Sequence, residues 1–399
     1  MPFIVYIFTL TAFALGLAEF VPIGLTDVMA QSLGVNVEQA GSAVTLYALG
    51  ATVAAPVLTA LTAGWSRKRT MLMTVLVFCA GSLLAALASS LAMLLIARFI
   101  AGMGHGLFLA LASSTAARLV GPKKAGSAVA VVFGGFTIAM AIGVPISTYL
   151  GGMSYWRPVL GAIAVFGALG LLGLLLGMKE PAKAQGQVGD ESVGQALKAI
   201  LHPALLAAAL VTVLGYAGSF TAYTYIAPLL AEVTQVSVAT VGVFMLIYGV
   251  LAAIGNVLGG KLTDRLGVDR ASAIMVGGIA VSALGMWCFA QSVVAMGILV
   301  ASLGMFTFGA VPALQARLIG VAQQHAPHAH GVAAGLNIAG FNSGIALGSW
   351  LGGVTFSTVG VAYMGVTGAV ISVLGLVLLF VQMAKSRGVG YRAAVGVSQ

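Results

Sequence analysis

Three ionisable residues lie inside long apolar stretches of the sequence, namely Glu19, Arg98 and His105. A charged side chain near the middle of a bilayer costs about 3 kcal/mol or more, so it is retained only where it is paired, neutralised or facing water. A carboxyl group in such a place can gain and lose a proton, and histidine changes charge close to neutral pH. We therefore expect Glu19 to exchange protons inside the membrane, with His105 as a second proton site.

The spacing of Glu19 and Arg98 along their helices places them at similar depth. At about 1.5 Å per residue, both fall somewhat outside the midplane of an apolar core about 30 Å thick. A neighbouring guanidinium would favour the ionised form of Glu19, whereas burial alone would favour the protonated form. Alternation between these surroundings would let the carboxyl group bind and release a proton. We therefore expect Glu19 and Arg98 to interact, directly or through water.

A purely structural role remains open for each of these residues. Glu19 and Arg98 would also suit a permanent ion pair, and a buried guanidinium can equally anchor backbone carbonyls. His105 follows Arg98 by seven residues, two turns along the same helix face. A neutral histidine at that position would simply bond to a neighbouring helix.

The second half of the sequence carries neutral polar groups in its apolar stretches and no embedded acid or base. The side chains expected to line a substrate cavity there are Tyr223, Tyr225, Asn337 and Asn342. Phenol and amide groups bind hydroxyl-rich or amphiphilic ligands without changing charge. Hydrogen bonding between helices is the alternative role for each. We expect the first half to handle protons, and its ionisable residues to contact the substrate together with these four.

The composition requires these residues to lie in a membrane. Hydrophobic residues make up 60% of the chain and charged residues 7%, against about 25% charged residues in soluble domains. A chain of 399 residues could not cover a water-exposed surface with so few charges. The net charge is +9, but the basic residues lie between apolar stretches, so no nucleic-acid partner is expected.

Neither a cofactor nor a metal is expected. Residues 255–262 nearly match a phosphate-binding loop, but Leu262 stands where Ser or Thr is required, and the stretch ends an apolar span. His325, His328 and His330 lie close in sequence without a neighbouring acid or cysteine, which favours a solvated loop. Motifs of intramembrane enzymes are also absent from the sequence. A transporter that uses an ion gradient is therefore expected, and not an enzyme.

Twelve apolar stretches are long enough to cross a bilayer, which needs about 20 residues each. They are 4–28, 39–63, 70–90, 92–117, 125–150, 156–178, 203–231, 237–262, 271–290, 293–319, 329–356 and 360–384. With this arrangement, 16 of the 18 Lys and Arg residues fall on one side of the membrane. That side is expected to be cytoplasmic and to hold both termini.

The expected architecture is an all-α polytopic membrane protein with two pseudo-symmetric six-helix bundles. The bundles would span 1–178 and 203–384, joined by a cytoplasmic linker at 179–202 that contains a short amphipathic helix, with a cytoplasmic tail at 385–399. Pro22 and Pro228 each follow a polar residue by three positions, Glu19 and Tyr225, and suggest an internal repeat. Small residues at every fourth position in 51–63, 135–151 and 340–352 suggest close contacts between the halves, with static helix packing as the alternative.

Two motifs resemble those of the major facilitator superfamily, and the resemblance covers nearly the whole chain. Residues 259–267 match the superfamily's loop signature after helix 8, through Gly259, Asp264 and Arg265. Arg98, followed by glycines at 102, 104 and 106, resembles the Arg-and-glycine motif of helix 4. The resemblance implies twelve helices, alternating access and small-molecule substrates.

Further motifs resemble the drug:proton antiporter branch, and within it the bacterial arabinose- or sugar-efflux-like permeases. Gly143 and Pro145 resemble the antiporter motif of helix 5, and residues 19–24 resemble the helix 1 signature of the sugar-efflux-like members. The loop after the second span departs from the superfamily, because residues 63–69 lack its acidic residue. The Asp264 copy is therefore expected to carry more of the role of latching the outward-open state.

The resemblance implies a monomeric, proton-coupled exporter in the bacterial inner membrane. Its substrate would be a sugar-like molecule, a nucleoside or an amphiphilic drug, moved by antiport with protons. Proton-coupled import of a small polar metabolite is the alternative. A protein that binds its ligand without transporting it is a further alternative.

Overall fold

The computed structural model describes residues 1–62, 65–120, 125–150, 156–178, 201–325 and 330–396. Within these ranges the chain forms twelve long helices and no strand, which confirms the predicted fold class. They are α1 Phe3–Leu33, α2 Val37–Leu61, α3 Arg67–Ala86, α4 Leu91–Val120, α5 125–150, α6 Trp156–Gly177, α7 203–233, α8 Val238–Leu266, α9 Val268–Cys288, α10 Val293–His325, α11 His330–Thr358 and α12 361–396. In this described part, nine helical stretches are long and apolar enough to cross a membrane.

The ends of the predicted segments shift in two places. Helix α12 continues to Gly396, so most of the predicted tail is helical. The amphipathic helix predicted in the linker falls on residues 179–200, which lie outside the described residues.

Helices α1 and α7 are interrupted at equivalent places. The α-helical part of α1 ends at Phe20 and continues as a 3₁₀ turn that contains Pro22. The α-helical part of α7 ends at Tyr223 and resumes at Ile226, just before Pro228. Proline has no N–H and clashes with the carbonyl four residues earlier, so each proline breaks its helix one turn before itself.

The helices pair in the same pattern in each half. In the first half, α1 packs on α5 and α6, α2 packs on α4, and α3 packs on α4 and α6. Adding six to each number gives the second half, where α7 packs on α11 and α12, α8 on α10, and α9 on α10 and α12. The two six-helix bundles are therefore pseudo-symmetric. They meet along two seams, α2 with α11 and α5 with α8.

The ridges of small residues on α5 and α11 lie inside the bundles. The glycines of α11 at 340, 344, 348 and 352 all face α7, and Gly135 of α5 faces the backbone of α1 at Thr9. The expectation that the ridges of α5 and α11 join the two halves was wrong, whereas nothing here contradicts it for the ridge at 51–63 on α2, a helix that does pack on α11. Small residues indicate where two backbones approach closely, but their spacing does not identify the neighbouring helix.

The two bundles also touch on one side of the membrane. We call the side where α1 ends and α2 begins the far side, because the described ends of the chain lie on the opposite, terminal side. On the far side the Tyr225 hydroxyl of α7 donates to the Glu38 carbonyl of α2 at 3.3 Å. Deeper in the molecule, the ring of Phe20 stacks on that of Phe220 with centroids 6.3 Å apart.

Candidate functional site

Glu19 and His105 lie together inside the first bundle. Glu19 is the last residue but one of the α-helical part of α1, and 5% of it is exposed. Its Oε2 atom lies 3.9 Å from Nδ1 of His105 on α4, which is 2% exposed. A carboxyl group and an imidazole at this distance interact electrostatically, and an approach of about 1 Å would bring them within hydrogen-bond distance.

Arg98 is anchored by two backbone carbonyls. Its Nη1 donates to the Ala18 carbonyl at 2.6 Å, and its Nε donates to the Ala43 carbonyl at 3.1 Å. The Ala18 carbonyl is available because Pro22, four residues later, has no N–H to donate to it. The break in α1 therefore creates an acceptor that holds the guanidinium beside Glu19.

Arg98 and Glu19 do not form the direct ion pair that was one form of the predicted interaction. The ion pairs among the described residues join Glu19 to His105 and Asp269 to Arg317. The positive charge of Arg98 still acts on the Glu19 carboxyl group. The Nη2 atom of Arg98 is buried and has no hydrogen-bond partner among the described residues. The geometry thus matches the anchoring alternative for Arg98, with one donor nitrogen left over.

Tyr47 completes this cluster, and the sequence analysis missed it. The Tyr47 hydroxyl lies 3.1 Å from Nδ1 of His105 and 3.4 Å from the Leu15 carbonyl. The Arg98 guanidinium carbon lies 4.2 Å from the centroid of the Tyr47 ring, a cation–π contact. A tyrosine in an apolar helix is common, so its only sequence signal is its position in α2, the partner of α4.

An aromatic layer lies between the ionisable cluster and the second bundle. Phe20, next to Glu19, contacts Phe136 of α5, Phe220 of α7 and Phe308 of α10, with ring centroids 6.0 to 6.3 Å apart. The ring of His105 also contacts Phe136, at 5.5 Å. A small movement of Phe20 would therefore reach both bundles.

The two predicted substrate tyrosines lie in different places. Tyr223 stacks on Tyr248 of α8 with centroids 3.9 Å apart, beside the aromatic layer. Tyr225 lies on the far side, where its hydroxyl bonds to Glu38 and its ring faces Gly41, Gly352 and Gly353. The structure therefore places Tyr223 near the centre and Tyr225 in a contact between the bundles.

The two predicted asparagines are buried on α11 and only partly bonded. Oδ1 of Asn337 accepts a hydrogen bond from the Thr212 hydroxyl at 3.2 Å, and Nδ2 of Asn342 donates to the Ile338 carbonyl at 3.0 Å. Nδ2 of Asn337 and Oδ1 of Asn342 have no partner among the described residues. Buried polar groups are normally hydrogen-bonded, so both amides have capacity for a ligand or water.

The predicted motif residues of α5 lie at helix contacts. Gly143 ends a π-helical turn, Ala139–Gly143, and faces the Leu17 side chain of α1. The Pro145 carbonyl faces Gly242 of α8, on one of the two seams. These residues shape the packing of α5 against α1 and α8.

The predicted motif at the end of α8 is separated from the central cluster. Gly259 lies against the backbone of Gly309 on α10. Asp264 and Arg265 are exposed, and Asp264 is in neither ion pair of the described residues. Its role as a latch stays a prediction.

A different acid of the same loop is bonded. Oδ1 of Asp269 accepts a hydrogen bond from Nε of Arg317 at 2.9 Å, and Nη2 of Arg317 donates to Gln382 at 2.8 Å. Gln382 in turn donates to the Ala207 carbonyl at 2.7 Å. This network ties α7, α9, α10 and α12 together on the terminal side.

The second bundle also has a buried tyrosine between three helices, but without ionisable groups around it. We call each such place a tyrosine junction. Tyr248 of α8 corresponds to Tyr47 of α2, and it lies beside the hydroxyls of Ser219 on α7 and Thr307 on α10, which are 2.6 Å apart. Where the first bundle has Glu19 and a histidine, the second therefore has neutral hydroxyls.

The described ranges contain no group of three or more His, Cys, Asp or Glu side chains placed to hold a metal ion. The exposed side chain of His325 lies 3.0 Å from the Val321 carbonyl, and His328 falls outside these ranges.

Comparison with known proteins gives consistent results. A family model described as Major Facilitator Superfamily matches residues 7–337. The uncharacterised MFS-type transporter YtbD of Bacillus subtilis is 38% identical over 371 residues, 92% of each chain. The inner membrane transport protein YdhP of Escherichia coli is 35% identical over 376 residues, 94% of each chain.

More distant proteins share the full length of the chain. A probable sugar efflux transporter of Helicobacter pylori is 28% identical over 373 residues, 93% of each chain. The crystal structure of the nucleoside transporter NupG superposes with a TM-score of 0.74, covering 96% of this chain and 98% of that one. At 16% identity this likeness concerns the fold alone.

Proposed function

The chain belongs to the Major Facilitator Superfamily and is a multi-pass transporter of small molecules, and from this premise we propose that it exports its substrate in exchange for protons. Its place would be the bacterial inner membrane, with both termini in the cytoplasm. Its substrate would be a sugar-like molecule, a nucleoside or an amphiphilic drug.

The contact between Glu19 and His105 carries this proposal. Both side chains are almost fully buried, and their facing atoms are 3.9 Å apart. Ionised Glu19 balances the fixed positive charge of Arg98, whereas protonated Glu19 leaves that charge uncompensated. Because an unbalanced buried charge is costly, each protonation state favours a different arrangement of the helices around the site.

In the proposed cycle, Glu19 takes up a proton while the site is open to the far side. The bundles then rock along the α2–α11 and α5–α8 seams, and the site opens to the terminal side. Substrate binds there as Glu19 releases its proton, and it leaves on the far side in the next half-cycle. The membrane potential supplies about 2.3 kcal/mol per charge per 100 mV, and a pH gradient supplies about 1.4 kcal/mol per unit.

Two observations favour export over import. The α5 residues Gly143 and Pro145 resemble an antiporter motif, and one full-length relative has a name that refers to sugar efflux. Inverted membrane vesicles with an acidic interior distinguish the directions. An exporter would accumulate substrate in them, whereas a proton symporter would not.

The first test is proton release from the purified protein in detergent. Candidate sugars, nucleosides and lipophilic cations are added to wild type, to Glu19→Gln and to Glu232→Gln, whose exposed carboxyl group lies at the far-side end of α7. We expect one ligand class to release protons from wild type and from Glu232→Gln, and none to do so from Glu19→Gln. Equal release from all three proteins would contradict the assignment of the proton to Glu19.

A further inference from the structure

Tyr47 contacts two members of the ionisable cluster, His105 and Arg98, and also the backbone of α1. Its hydroxyl lies between the His105 ring and the Leu15 carbonyl of α1, at 3.1 Å and 3.4 Å. The Arg98 guanidinium carbon lies over its ring, 4.2 Å from the ring centroid. Tyr47 is itself 1% exposed, so no bulk water competes for these contacts.

The single hydroxyl proton of Tyr47 allows two arrangements. If Tyr47 donates to Nδ1 of His105, that nitrogen carries a lone pair and the proton of the ring sits on Nε2. If Tyr47 donates to the Leu15 carbonyl, its oxygen accepts a hydrogen bond from a protonated Nδ1. The two arrangements thus correspond to the two neutral forms of the imidazole.

The carboxyl group of Glu19 selects between them. Its Oε2 lies 3.9 Å from the same Nδ1 atom. An ionised carboxylate attracts an N–H donor and repels a lone pair, so it stabilises the form with the proton on Nδ1. In that form Nδ1–H of His105 donates to the Tyr47 oxygen, and the Tyr47 hydroxyl donates to the Leu15 carbonyl.

We propose that Tyr47 is a positioning residue that accepts the Nδ1–H of His105, so that this proton stays on the nitrogen nearest Glu19 and Nε2 is left free to accept a proton. Protonation of Nε2 would give an imidazolium whose Nδ1–H stays bonded to Tyr47 and whose Nδ1 lies 3.9 Å from the Glu19 carboxylate. This inference rests on the proposed proton exchange at Glu19 and His105. Tyr47 stays neutral throughout, and its ring also keeps Arg98 in place.

The second bundle provides a matched control. Tyr248 is also fully buried, lies at the corresponding place in α8 and has hydroxyl neighbours instead of a histidine. Tyr248→Phe therefore removes a buried phenol of the same kind without touching His105. A general effect of losing a buried hydroxyl would appear in both variants.

The decisive measurement is ¹⁵N NMR of the substrate-free protein labelled in its histidine rings. The His105 signals are identified by their absence from His105→Asn, and the spectra of wild type, Tyr47→Phe and Tyr248→Phe are compared at a pH where His105 is neutral. We expect Nδ1 to be protonated in wild type and Tyr248→Phe. In Tyr47→Phe the ratio of the form protonated on Nδ1 to the form protonated on Nε2 should fall about fivefold, which is the effect of losing one ordinary hydrogen bond.

The outcomes separate this inference from the proposed function. Protonation on Nε2 in wild type would overturn it without any variant, as would an unchanged Nδ1–H preference in folded Tyr47→Phe. Ligand-driven proton release is measured on the same samples and should fall about fivefold in Tyr47→Phe. Loss of the proton assignment at Glu19 would instead appear as undiminished release from Glu19→Gln, whatever the histidine spectrum shows.

Discussion

At the scale of single residues, the centre of the molecule combines the guanidinium of Arg98 with two groups, a carboxyl and an imidazole, that are chemically able to bind and release a proton. Arg98 is held by the Ala18 and Ala43 carbonyls and by the face of Tyr47. Glu19 and His105 face each other beside it. Arg98 contributes a constant positive charge. The net charge of the site therefore depends on whether Glu19 and His105 carry a proton.

Replacing Arg98 by lysine tests this anchoring role. Arg98→Lys keeps the charge but cannot bond two carbonyls in one fork-shaped geometry. A hydrogen bond to a charged group contributes about 2 kcal/mol, so we expect the free energy of unfolding in detergent to fall by about that amount. Arg265→Lys, at an exposed position, is the control and should match wild type. An unchanged stability of Arg98→Lys would show that the two carbonyl bonds contribute little.

The residues of the site were predictable to the extent that they are unusual in a membrane. Glu19, Arg98 and His105 stand out because ionisable groups are rare in apolar segments. Tyr47 does not, because its phenol suits an apolar helix and its role depends on the packing of α2 against α4. Asp269 and Arg317 were missed for the opposite reason, since charged residues at helix ends resemble solvated ones.

At the scale of the helices, the break in α1 links backbone to chemistry. Pro22 removes the donor that would otherwise satisfy the Ala18 carbonyl, and Arg98 takes its place. A proline that resembles a simple kink in the sequence therefore determines where the guanidinium sits.

Restoring the missing N–H tests this link. In Pro22→Ala the new N–H competes with Arg98 for the Ala18 carbonyl, so α1 should become more regular and Arg98 less firmly held. We expect gradient-driven transport to fall about tenfold, which corresponds to part of the free energy of one charged hydrogen bond. We also expect the new amide at position 22 to be protected from hydrogen exchange. Pro228→Ala makes the same change in α7, away from Arg98, and should keep more of its transport. Full transport by Pro22→Ala with a protected amide would contradict the link.

The number and order of the helices followed from hydropathy alone, whereas their neighbours did not. Twelve apolar stretches of sufficient length leave little freedom in a bilayer. Which helix faces which depends on side-chain shape along whole surfaces, and for that reason the small ridges of α5 and α11 were assigned to the wrong contacts. The π-helical turn of α5 and a second one in α7, at Leu229–Val233, also had no signal in the sequence beyond nearby prolines.

At the scale of the whole molecule, the far-side contact of Tyr225 holds the bundles together in this structure. Its hydroxyl bonds across to the Glu38 carbonyl of α2, and its ring fits against the glycines at 41, 352 and 353. A residue predicted to contact substrate thus lies in the contact that closes one side.

Removing that hydroxyl should shift the balance of conformations. In Tyr225→Phe the population open to the far side should rise about fivefold, the equivalent of one hydrogen bond. Spin labels at Gln31→Cys and Glu232→Cys, on a background with Cys79 and Cys288 replaced by serine, report the distance between α1 and α7. Tyr149→Phe, at a position exposed on the outer surface, is the control. Identical distance distributions in all proteins would show that the hydroxyl does not hold the far side closed.

The unequal content of the two tyrosine junctions has an electrical consequence. Because Glu19, His105 and Arg98 are all carried by the first bundle, and the matching hydroxyls around Tyr248 are neutral, the charges at the centre of the molecule move with the first bundle only. A capacitance transient recorded on a solid-supported membrane would therefore follow the tilt of that half relative to the bilayer, and would report its motion even when the other half stays still.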